Sequence, residues 1–324
     1  MKRSTLLRLL AALPVAASLP AFPQAYPSRP ITLIVPYSTG GPTDAAARVV
    51  TEGMSKILGQ QFVLTYKPGA ATIIGTELVK AAPKDGYTLL LGSSTTFSLN
   101  PIQYRQQLKY RLEDFEAIGG MAKVPYGLVV SNRLPAKNLR EFIAWAKAQP
   151  KGFSYGTVGQ GSSTHVGGAM LARAIGATGV AIHYKGSAGV QADLLGDSLD
   201  VSIDPMTTAI PMHKGGKVRL IGMLENERWS EAPDVQTFAE QGLKGVEVPG
   251  YFGLLAPVGV PADVIATLTK ALTAVVTDPV TVTRLHQVGL VPAVYEGDKF
   301  WKLLRSQEDW WRSRIEENNI RFAE

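Results

Sequence analysis

Short apolar runs alternate with longer segments of helical composition in the first third of the chain, and glycine or proline separates them. The predicted elements are strands over residues 31–35, 61–66 and 87–92 and helices over residues 44–58 and 72–82. Continuous runs of apolar, β-branched residues between turn residues are typical of strands buried in a parallel sheet. The order strand, helix, strand, helix, strand therefore predicts right-handed βαβ units.

A second block repeats this alternation from residue 126 onward. Its predicted strands are 126–130, 154–156, 180–184, 201–204 and 218–224, and its predicted helices are 138–149, 164–175 and 189–195. The last hundred residues add a strand over 251–256, a helix that begins at 261–263 and a long helix over 299–318. We expect an α/β fold of two lobes, with residues 26–124 and 226–324 in the first lobe and residues 125–225 in the second.

The first 25 residues have the layout of a secretory signal peptide. Lys2, Arg3 and Arg8 precede the apolar run 9–19, and small residues follow as far as Ala25. The run is too short, and too interrupted by proline, for a stable membrane span. We expect export from the cytoplasm with cleavage near Ala25. An amphipathic or frayed N-terminal helix is the alternative interpretation.

Composition limits the classes of function. The 324 residues include 33 Lys and Arg, 27 Asp and Glu and no Cys, and the net charge of +6 falls to +3 without residues 1–25. No cluster of Lys and Arg remains that would follow a phosphate backbone, so nucleic acid is not an expected partner. Without Cys there is no disulfide framework, no thiolate nucleophile and no zinc–thiolate site.

The first turn, residues 36–44, carries the strongest signal for chemistry. It follows a strand and precedes a helix, so freed backbone N–H groups and the positive end of the helix favour an anion there. Its two glycines let the backbone approach a ligand, and its hydroxyl groups can donate hydrogen bonds. The alternative is an ordinary connection in which Asp44 caps the helix. The candidate residues are Tyr37, Ser38, Thr39, Gly40, Gly41 and Asp44.

The second turn, residues 154–165, presents glycines and hydroxyl groups before another predicted helix. It lacks the lysine of a P-loop and the third glycine of a dinucleotide fingerprint. The Gly-x-Ser-x-Gly elbow of a serine hydrolase is also absent. The four histidines, His165, His183, His213 and His286, are scattered without metal-ligand spacing, so we expect them on the surface or in packing. No catalytic or metal-binding residue is predicted.

An ordered series of motifs resembles the Bug family, the substrate-binding proteins of tripartite tricarboxylate transporters. The series consists of residues 26–31, 36–44, 67–70, 82–90, 100–101, 154–156, 162–165, 184–186, 193–196, 233–240 and 253–257. The resemblance implies a two-lobed periplasmic binding protein fold of the type II kind, with mainly parallel sheets and a ligand cleft between the lobes. It implies a periplasmic receptor for a small carboxylate that hands its ligand to integral membrane permease subunits. We expect a monomer without a cofactor.

In this family, the loops that match residues 38–41 and 69–72 grip a carboxylate, partly through ordered water. The second loop departs from the family pattern here, because two glycines are replaced by Ala71 and Thr72 and an asparagine by Ile73. The added Cβ atoms and the lost amide lead us to expect a different or more apolar acid. Besides the first turn, the candidate ligand-binding residues are Gly69, Ala70, Ala71, Thr72, Ser93, Thr157, Ser162, His165, Tyr184 and Asp204.

Two other functions stay open. A sensor that docks a membrane signalling protein would have the same cleft. An extracytoplasmic enzyme acting on a small acid would need an activated base, and His165, His183 and Asp204 are the available groups. Asp204 follows a predicted strand, where it could bind a ligand amine or cap the next turn. We expect a receptor and not an enzyme.

Overall fold

The computed structural model describes residues 25–320. The predicted signal peptide, residues 1–25, lies outside the described residues except for Ala25. The strands are β1 (Ile31–Val35), β2 (Phe62–Tyr66), β3 (Thr88–Ser93), β4 (Phe115–Lys123), β5 (Tyr126–Ser131), β6 (Phe153–Thr157), β7 (Gly179–His183), β8 (Val201–Pro205), β9 (Val218–Met223), β10 (Tyr251–Pro257) and β11 (Val291–Pro292).

The helices flank these strands. They are α1 (Pro42–Leu58), α2 (Ile73–Lys80), α3 (Asn100–Gln103), α4 (Leu139–Lys147), α5 (Ser163–Ala174), α6 (Ser187–Leu195), α7 (Met206–Lys214), α8 (Ala262–Thr277), α9 (Pro279–Gln287) and α10 (Gly297–Glu317). Short 3₁₀ turns lie at Ala70–Thr72 and Leu112–Asp114, and a π-helical turn lies at Thr95–Leu99.

The strands form two sheets that share a five-strand arrangement around one reversed strand, and the first sheet has the short strand β11 antiparallel to β4 at its edge. The first sheet has the order β11-β4-β10-β3-β1-β2, in which β1, β2 and β3 pair in parallel and β10 runs antiparallel to both neighbours. The second has the order β7-β6-β8-β5-β9, with β5 reversed in the same way. Each reversed strand, β5 or β10, is the first strand after the chain passes from one sheet to the other. The sequence pattern revealed two lobes but not this topological repeat.

Burial explains which strands have continuous apolar sequences. Strands β5 and β10, near the middle of their sheets, are buried along their whole length. The edge strands β2 and β7 instead expose Val63, Val180 and Ile182 to solvent. The apolar core therefore covers both faces of the central strands, which removes the alternating pattern that a half-exposed sheet would show.

Helix α1 shows how the local sequence sets an element that matters for the site. Pro42 fits the first helical position because its φ is already restricted and its missing N–H is not needed there. Gly59 ends the helix in the left-handed conformation, with φ of 67°, and donates its N–H to the Ser55 carbonyl at 3.0 Å. Val50 and Met54 lie on the buried face, so the helix is fixed against the first sheet.

Residues 226–248 lie against the second sheet. The Val248 N–H donates to the Leu224 carbonyl at 2.9 Å, and the ring of Phe238 packs beside Gly222. The boundary between residues 225 and 226 stays a prediction. These contacts favour a boundary about two dozen residues later, where the chain returns from the second lobe to the first just before β10.

Several elements were not predicted from the apolar pattern. Strand β4 carries an internal pair of glycines, Gly119 and Gly120, which weakens its strand signal. Helix α7 contains Pro211 and polar residues, and the segment after residue 261 forms two helices separated at Asp278. Among residues 25–320, no single helix is long and apolar enough to span a membrane. Helices α8 and α9 reach that length and composition only together, with a bend of 69° between them.

Candidate functional site

A small cavity of about 40 Å³ lies between the two lobes. From the first lobe it is lined by Tyr37, Ser38, Gly41, Pro42, Thr43, Thr95 and Phe252. From the second lobe it is lined by Tyr126, Val158, Ser163, Thr164, Gly186, Ser187 and Pro205. No Lys or Arg occurs among these residues, so an anion there would be held by backbone groups and hydroxyls.

Four helix N-termini meet at this cavity. The first residues of α1, α5 and α6 line it, as does Pro205, the residue that precedes α7. Helices α1, α6 and α7 have no side-chain cap, but the first N–H of α7, that of Met206, donates to the Pro125 carbonyl at 2.9 Å. The starts of α1 and α6 are therefore the ones whose first-turn N–H groups no side-chain cap occupies. Uncapped N–H groups and the positive ends of these helices would stabilise a negative charge in the cavity.

Hydrogen bonds join the two lobes. The Ser38 hydroxyl donates to the Lys185 carbonyl at 3.5 Å, and Gln103 Nε2 donates to the Gly161 carbonyl at 2.5 Å. A Cβ atom added to Gly41 would lie 3.8 Å from Ser187 Oγ. The structure is therefore a closed arrangement in which the first turn contacts the N-terminus of α6.

Asp44 organises the first turn without lining the cavity. Its carboxylate accepts hydrogen bonds from the Gly40 N–H at 2.9 Å, from Arg48 Nε at 2.7 Å and from the Tyr66 hydroxyl at 2.6 Å. Burial alone would raise the pKa of Asp44, but these hydrogen bonds and the charge of Arg48 bring it below its ordinary value. Two other residues of this turn that were predicted to bind the ligand, Thr39 and Gly40, do not line the cavity either.

The loop at residues 69–72 does not line the cavity either. Ala70, Ala71 and Thr72 follow one another with φ values of 44°, 48° and 79°, a conformation that costs energy for residues with a Cβ atom. Asn100 Nδ2 donates to the Ala71 carbonyl at 2.8 Å, and the Thr72 side chain is buried. The role in ligand binding predicted for Gly69, Ala70, Ala71 and Thr72 stays a prediction.

The second turn uses its polar groups internally. The Ser162 hydroxyl caps α5 by accepting the His165 N–H at 3.3 Å. Thr164 Oγ1 accepts the Val158 N–H at 3.0 Å, and His165 Nδ1 accepts the Gly161 N–H at 2.9 Å. These N–H groups are therefore already engaged, whereas no side-chain cap occupies the start of α1 in the first turn.

His165 and Thr157 lie behind the cavity wall. The His165 ring stacks on Tyr155 and stands 4.8 Å from the His183 ring, while Thr157 Oγ1 lies 2.7 Å from His183 Nδ1. Burial, with a smaller contribution from His183, lowers the pKa of His165 to about 4. The imidazole is thus neutral at pH 7 and offers no positive charge to an anion.

Tyr184 and Asp204 also stay outside the lining. The Tyr184 hydroxyl donates to Asp193 Oδ2 at 2.6 Å, which ties it to its own lobe. Asp204 is buried, accepts a hydrogen bond from Thr208 Oγ1 at 2.8 Å, and has its pKa raised by burial to about 7. Within residues 25–320, no group of three or more His, Asp or Glu is placed to hold a metal ion.

The family model TctC, described as tripartite tricarboxylate transporter family receptor, matches residues 46–320. The chain belongs to this family.

Known proteins support the match. A UPF0065 protein of Bordetella pertussis is 36% identical over 294 residues, which cover 90% of each chain. The solved structure of periplasmic binding protein BugD is 32% identical with a TM-score of 0.86, covering 91% of this chain and 99% of that one. Rpa4515 of R. palustris, solved with adipate, is 27% identical with a TM-score of 0.88 and the same coverage. The predicted resemblance to the Bug family and the two-lobed α/β fold are confirmed.

Several residues that line the cavity of this TctC-family receptor belong to none of the sequence motifs that predicted the site. Tyr126 and Phe252 stand at the starts of the two reversed strands, and only the paired crossings bring them to the cavity. Thr95 begins the π-helical turn after β3. Ser187 had a usable signal, because it follows the glycine of the 184–186 motif and opens a helix. Residues that depend on long-range strand order could not be found by reading local patterns.

Proposed function

We propose that this TctC-family receptor is exported to the periplasm and there closes its two lobes on a small carboxylate. It then delivers the ligand to the integral membrane permease subunits of a tripartite tricarboxylate-type transporter. It works as a monomer, without a cofactor and without turning the ligand over. The observation that carries the proposal is the meeting of uncapped helix N-termini at a cavity whose lining residues include no cation.

The physical argument concerns how a buried anion is stabilised. A carboxylate taken from water needs hydrogen-bond donors for its lone pairs, or burial is unfavourable. Backbone N–H groups at the starts of α1 and α6 supply donors, and the positive helix ends supply partial charge. The hydroxyls of Ser163 and Ser187 complete the proposed donor set, since both line the cavity.

The cavity wall also suggests which acid fits. Val158 and Phe252 face the same space as the donors, so the body of the ligand meets apolar surface. This supports an acid with an aliphatic or aromatic body, in line with the expectation from Ala71 to Ile73. The adipate held by a structural relative has four methylene groups between its carboxylates, which is chemistry of this kind.

A thermal-shift screen of the mature protein, residues 26–324, tests the proposal. We expect stabilisation by adipate or benzoate to exceed stabilisation by malate, because their bodies are less polar. A ligand at a hundredfold excess over its Kd stabilises the native state by ~2.7 kcal/mol. The uncharged diamide of adipic acid is the matched control. Equal shifts with diacid and diamide, or no shift with any carboxylate, would contradict carboxylate capture.

Delivery is tested separately in cells. Deleting the receptor gene and deleting neighbouring permease genes should each abolish uptake of the bound acid. Unchanged uptake with a lost transcriptional response would favour the sensor instead. Recovery of the acid unchanged after incubation with purified protein is expected, and its conversion would establish an enzyme.

A further inference from the structure

Asp204 is a buried carboxyl group that has no cation beside it. It lies at the carboxyl end of β8 with 1% of its surface exposed, and the Thr208 hydroxyl donates to its Oδ2 atom at 2.8 Å. The Gln191 amide lies nearby, but its Nε2 atom completes no hydrogen bond. Among residues 25–320, no charged side chain stabilises the ionised form of Asp204. A buried carboxylate without a counter charge is unfavourable, so this environment favours the protonated form.

Asp204 lies directly behind the wall of the cavity. The next residue, Pro205, lines the cavity and precedes α7. Gln191 approaches Asp204 from α6 and lies one helical turn after Ser187, which also lines the cavity. The pKa of Tyr126, another lining residue, is raised by burial and also by the charge of Asp204. A charge on Asp204 therefore acts on groups that face the ligand.

The protonation state of Asp204 changes near neutral pH. Burial raises its pKa to about 7, and the smaller effects of Thr208 and Gln191 act in the opposite direction. None of the titratable or charged side chains on the elements packed against β8 contributes to this pKa. These side chains are Tyr126 on β5, Tyr155 on β6, His165 and Arg173 on α5, Asp193 on α6, and His213 and Lys214 on α7.

We infer that Asp204 is a proton site that fills together with the ligand site, so that the receptor takes up a proton from solvent when it captures a carboxylate. The negative charge of the ligand, beyond Pro205 and Tyr126, repels the ionised form of Asp204. Protonation of Asp204 removes this repulsion. The inference rests on the proposed function, because the captured ligand must be an anion.

The affinity should then depend on pH with a defined sign. At pH values well below the pKa of Asp204 the free receptor already carries the proton, and binding requires no further uptake. At higher pH the free receptor is ionised at Asp204, so binding must take up a proton and the affinity falls as pH rises. The acid itself stays ionised throughout this range.

Glu225 is a second carboxyl group near Tyr126 and provides a comparison. It accepts the Tyr126 N–H at 3.2 Å, and burial raises its pKa to about 8. Unlike Asp204, it is influenced by a cation, Lys123, which lowers its pKa. Both residues line a separate cavity of about 580 Å³ that shares no lining residue with the first. We therefore assign the coupled proton to Asp204 and not to Glu225.

Calorimetric titration with adipate, repeated in buffers of different ionisation enthalpy, counts the protons taken up. At pH 7.5 the wild type should take up about half a proton per adipate bound. Asp204→Asn should take up none, and Glu225→Gln should match the wild type. No uptake by the wild type, or equal uptake by the wild type and Asp204→Asn, would overturn the inference.

The pH profile of affinity provides an independent measurement. From pH 6.5 to pH 8.5 the affinity of the wild type for adipate should fall about fivefold. Asp204→Asn imitates the protonated carboxyl, so it should bind adipate as the wild type does at pH 6.5 and keep that affinity at pH 8.5. The same decline in wild type and variant would show that another group takes the proton and would overturn the inference.

Carbon NMR of the side-chain carboxyl groups tests the proton site in the ligand-free mature protein. The Asp204 resonance, assigned by its loss in Asp204→Asn, should titrate near neutral pH. Titration in the ordinary range of aspartate would overturn the inference even if adipate binds. Failure of every carboxylate to bind would instead count against the proposed function, and the coupling would fall with it.

Discussion

The two glycine-rich turns that face each other across the cavity have similar sequences and opposite properties. In the first turn, residues 36–44, helix α1 begins without a side-chain cap. In the second turn, residues 154–165, Ser162 caps α5, and two more side chains accept N–H groups of the same turn. Glycine and hydroxyl content therefore does not decide whether a turn can bind an anion. The N–H groups must also be left available by the turn's own side chains.

The position of one carboxylate explains the difference. Asp44 reaches back to the Gly40 N–H, outside the helix, and holds the turn in shape without covering the helix end. The second turn has its acceptors at Ser162, Thr164 and His165, all of which point back into the turn. We therefore expect substitutions of residues that line the cavity, such as Gly41, to change affinity. Substitutions of residues outside the lining, such as Asp44, Gly161 and Ser162, should change closure or stability.

Gly41→Val should have the largest effect, at least about a 100-fold loss of affinity for adipate. Gly41 has an extended backbone, with φ of −97° and ψ of −177°, so valine is tolerated by the fold. The added methyl groups enter the space toward Ser187 Oγ, which a Cβ already approaches to 3.8 Å. Calorimetric titration measures the loss, and a thermal melt checks the fold. Unchanged affinity would remove the first turn from the site.

Gly161→Ala should impair closure and weaken binding about tenfold. A Cβ at Gly161 would overlap the Gln103 side chain across the lobe boundary, and its φ of 76° disfavours alanine. Adding Gln103→Ala should remove the overlap and recover part of the affinity. Solution scattering should show ligand-induced compaction in the wild type and the double variant but not in Gly161→Ala. Normal compaction of the single variant would mean that the second turn does not limit closure.

How much of the site the sequence could predict depends on how close together its residues lie along the chain. The first turn holds its groups within nine residues, so its helix start and donors could be predicted. The cavity joins residues as distant as Tyr37 and Phe252, and they meet only because β10 inserts beside β3. Local patterns also could not show that residues 70–72 are left-handed, since Ala and Thr rarely adopt that conformation.

Asp44→Asn should destabilise the fold by about 1 kcal/mol at pH 7, because an amide accepts fewer of the hydrogen bonds that hold the first turn. The folded-state pKa of Asp44 is lowered, so its contribution is present above the unfolded-state pKa and is lost as pH falls through the folded value. Urea unfolding at pH 7 and pH 3 should show the difference between wild type and variant shrinking at the lower pH. A difference independent of pH would mean that the charge does not hold the turn.

Ser162→Ala should have the smallest effect, a loss of about 0.5 kcal/mol in unfolding free energy. This is the lower end for a lost cap, because the Ser162–His165 contact is long at 3.3 Å. Affinity should stay within about twofold of the wild type. Ser163→Ala is the matched comparison, because Ser163 lines the cavity and should affect affinity more than stability. A large loss of affinity in Ser162→Ala would erase the proposed contrast between the two turns.

The position of the reversed strand β10 also determines the order in which the two sheets can form during synthesis. It lies between β3 and β4 in the first sheet, yet it follows the whole second sheet in the chain. A chain emerging from its N-terminus therefore leaves the edges of β3 and β4 unpaired until residue 257 has appeared. The lobe that begins first is finished last. Its open edges are exposed to unwanted pairing until β10 has been synthesised.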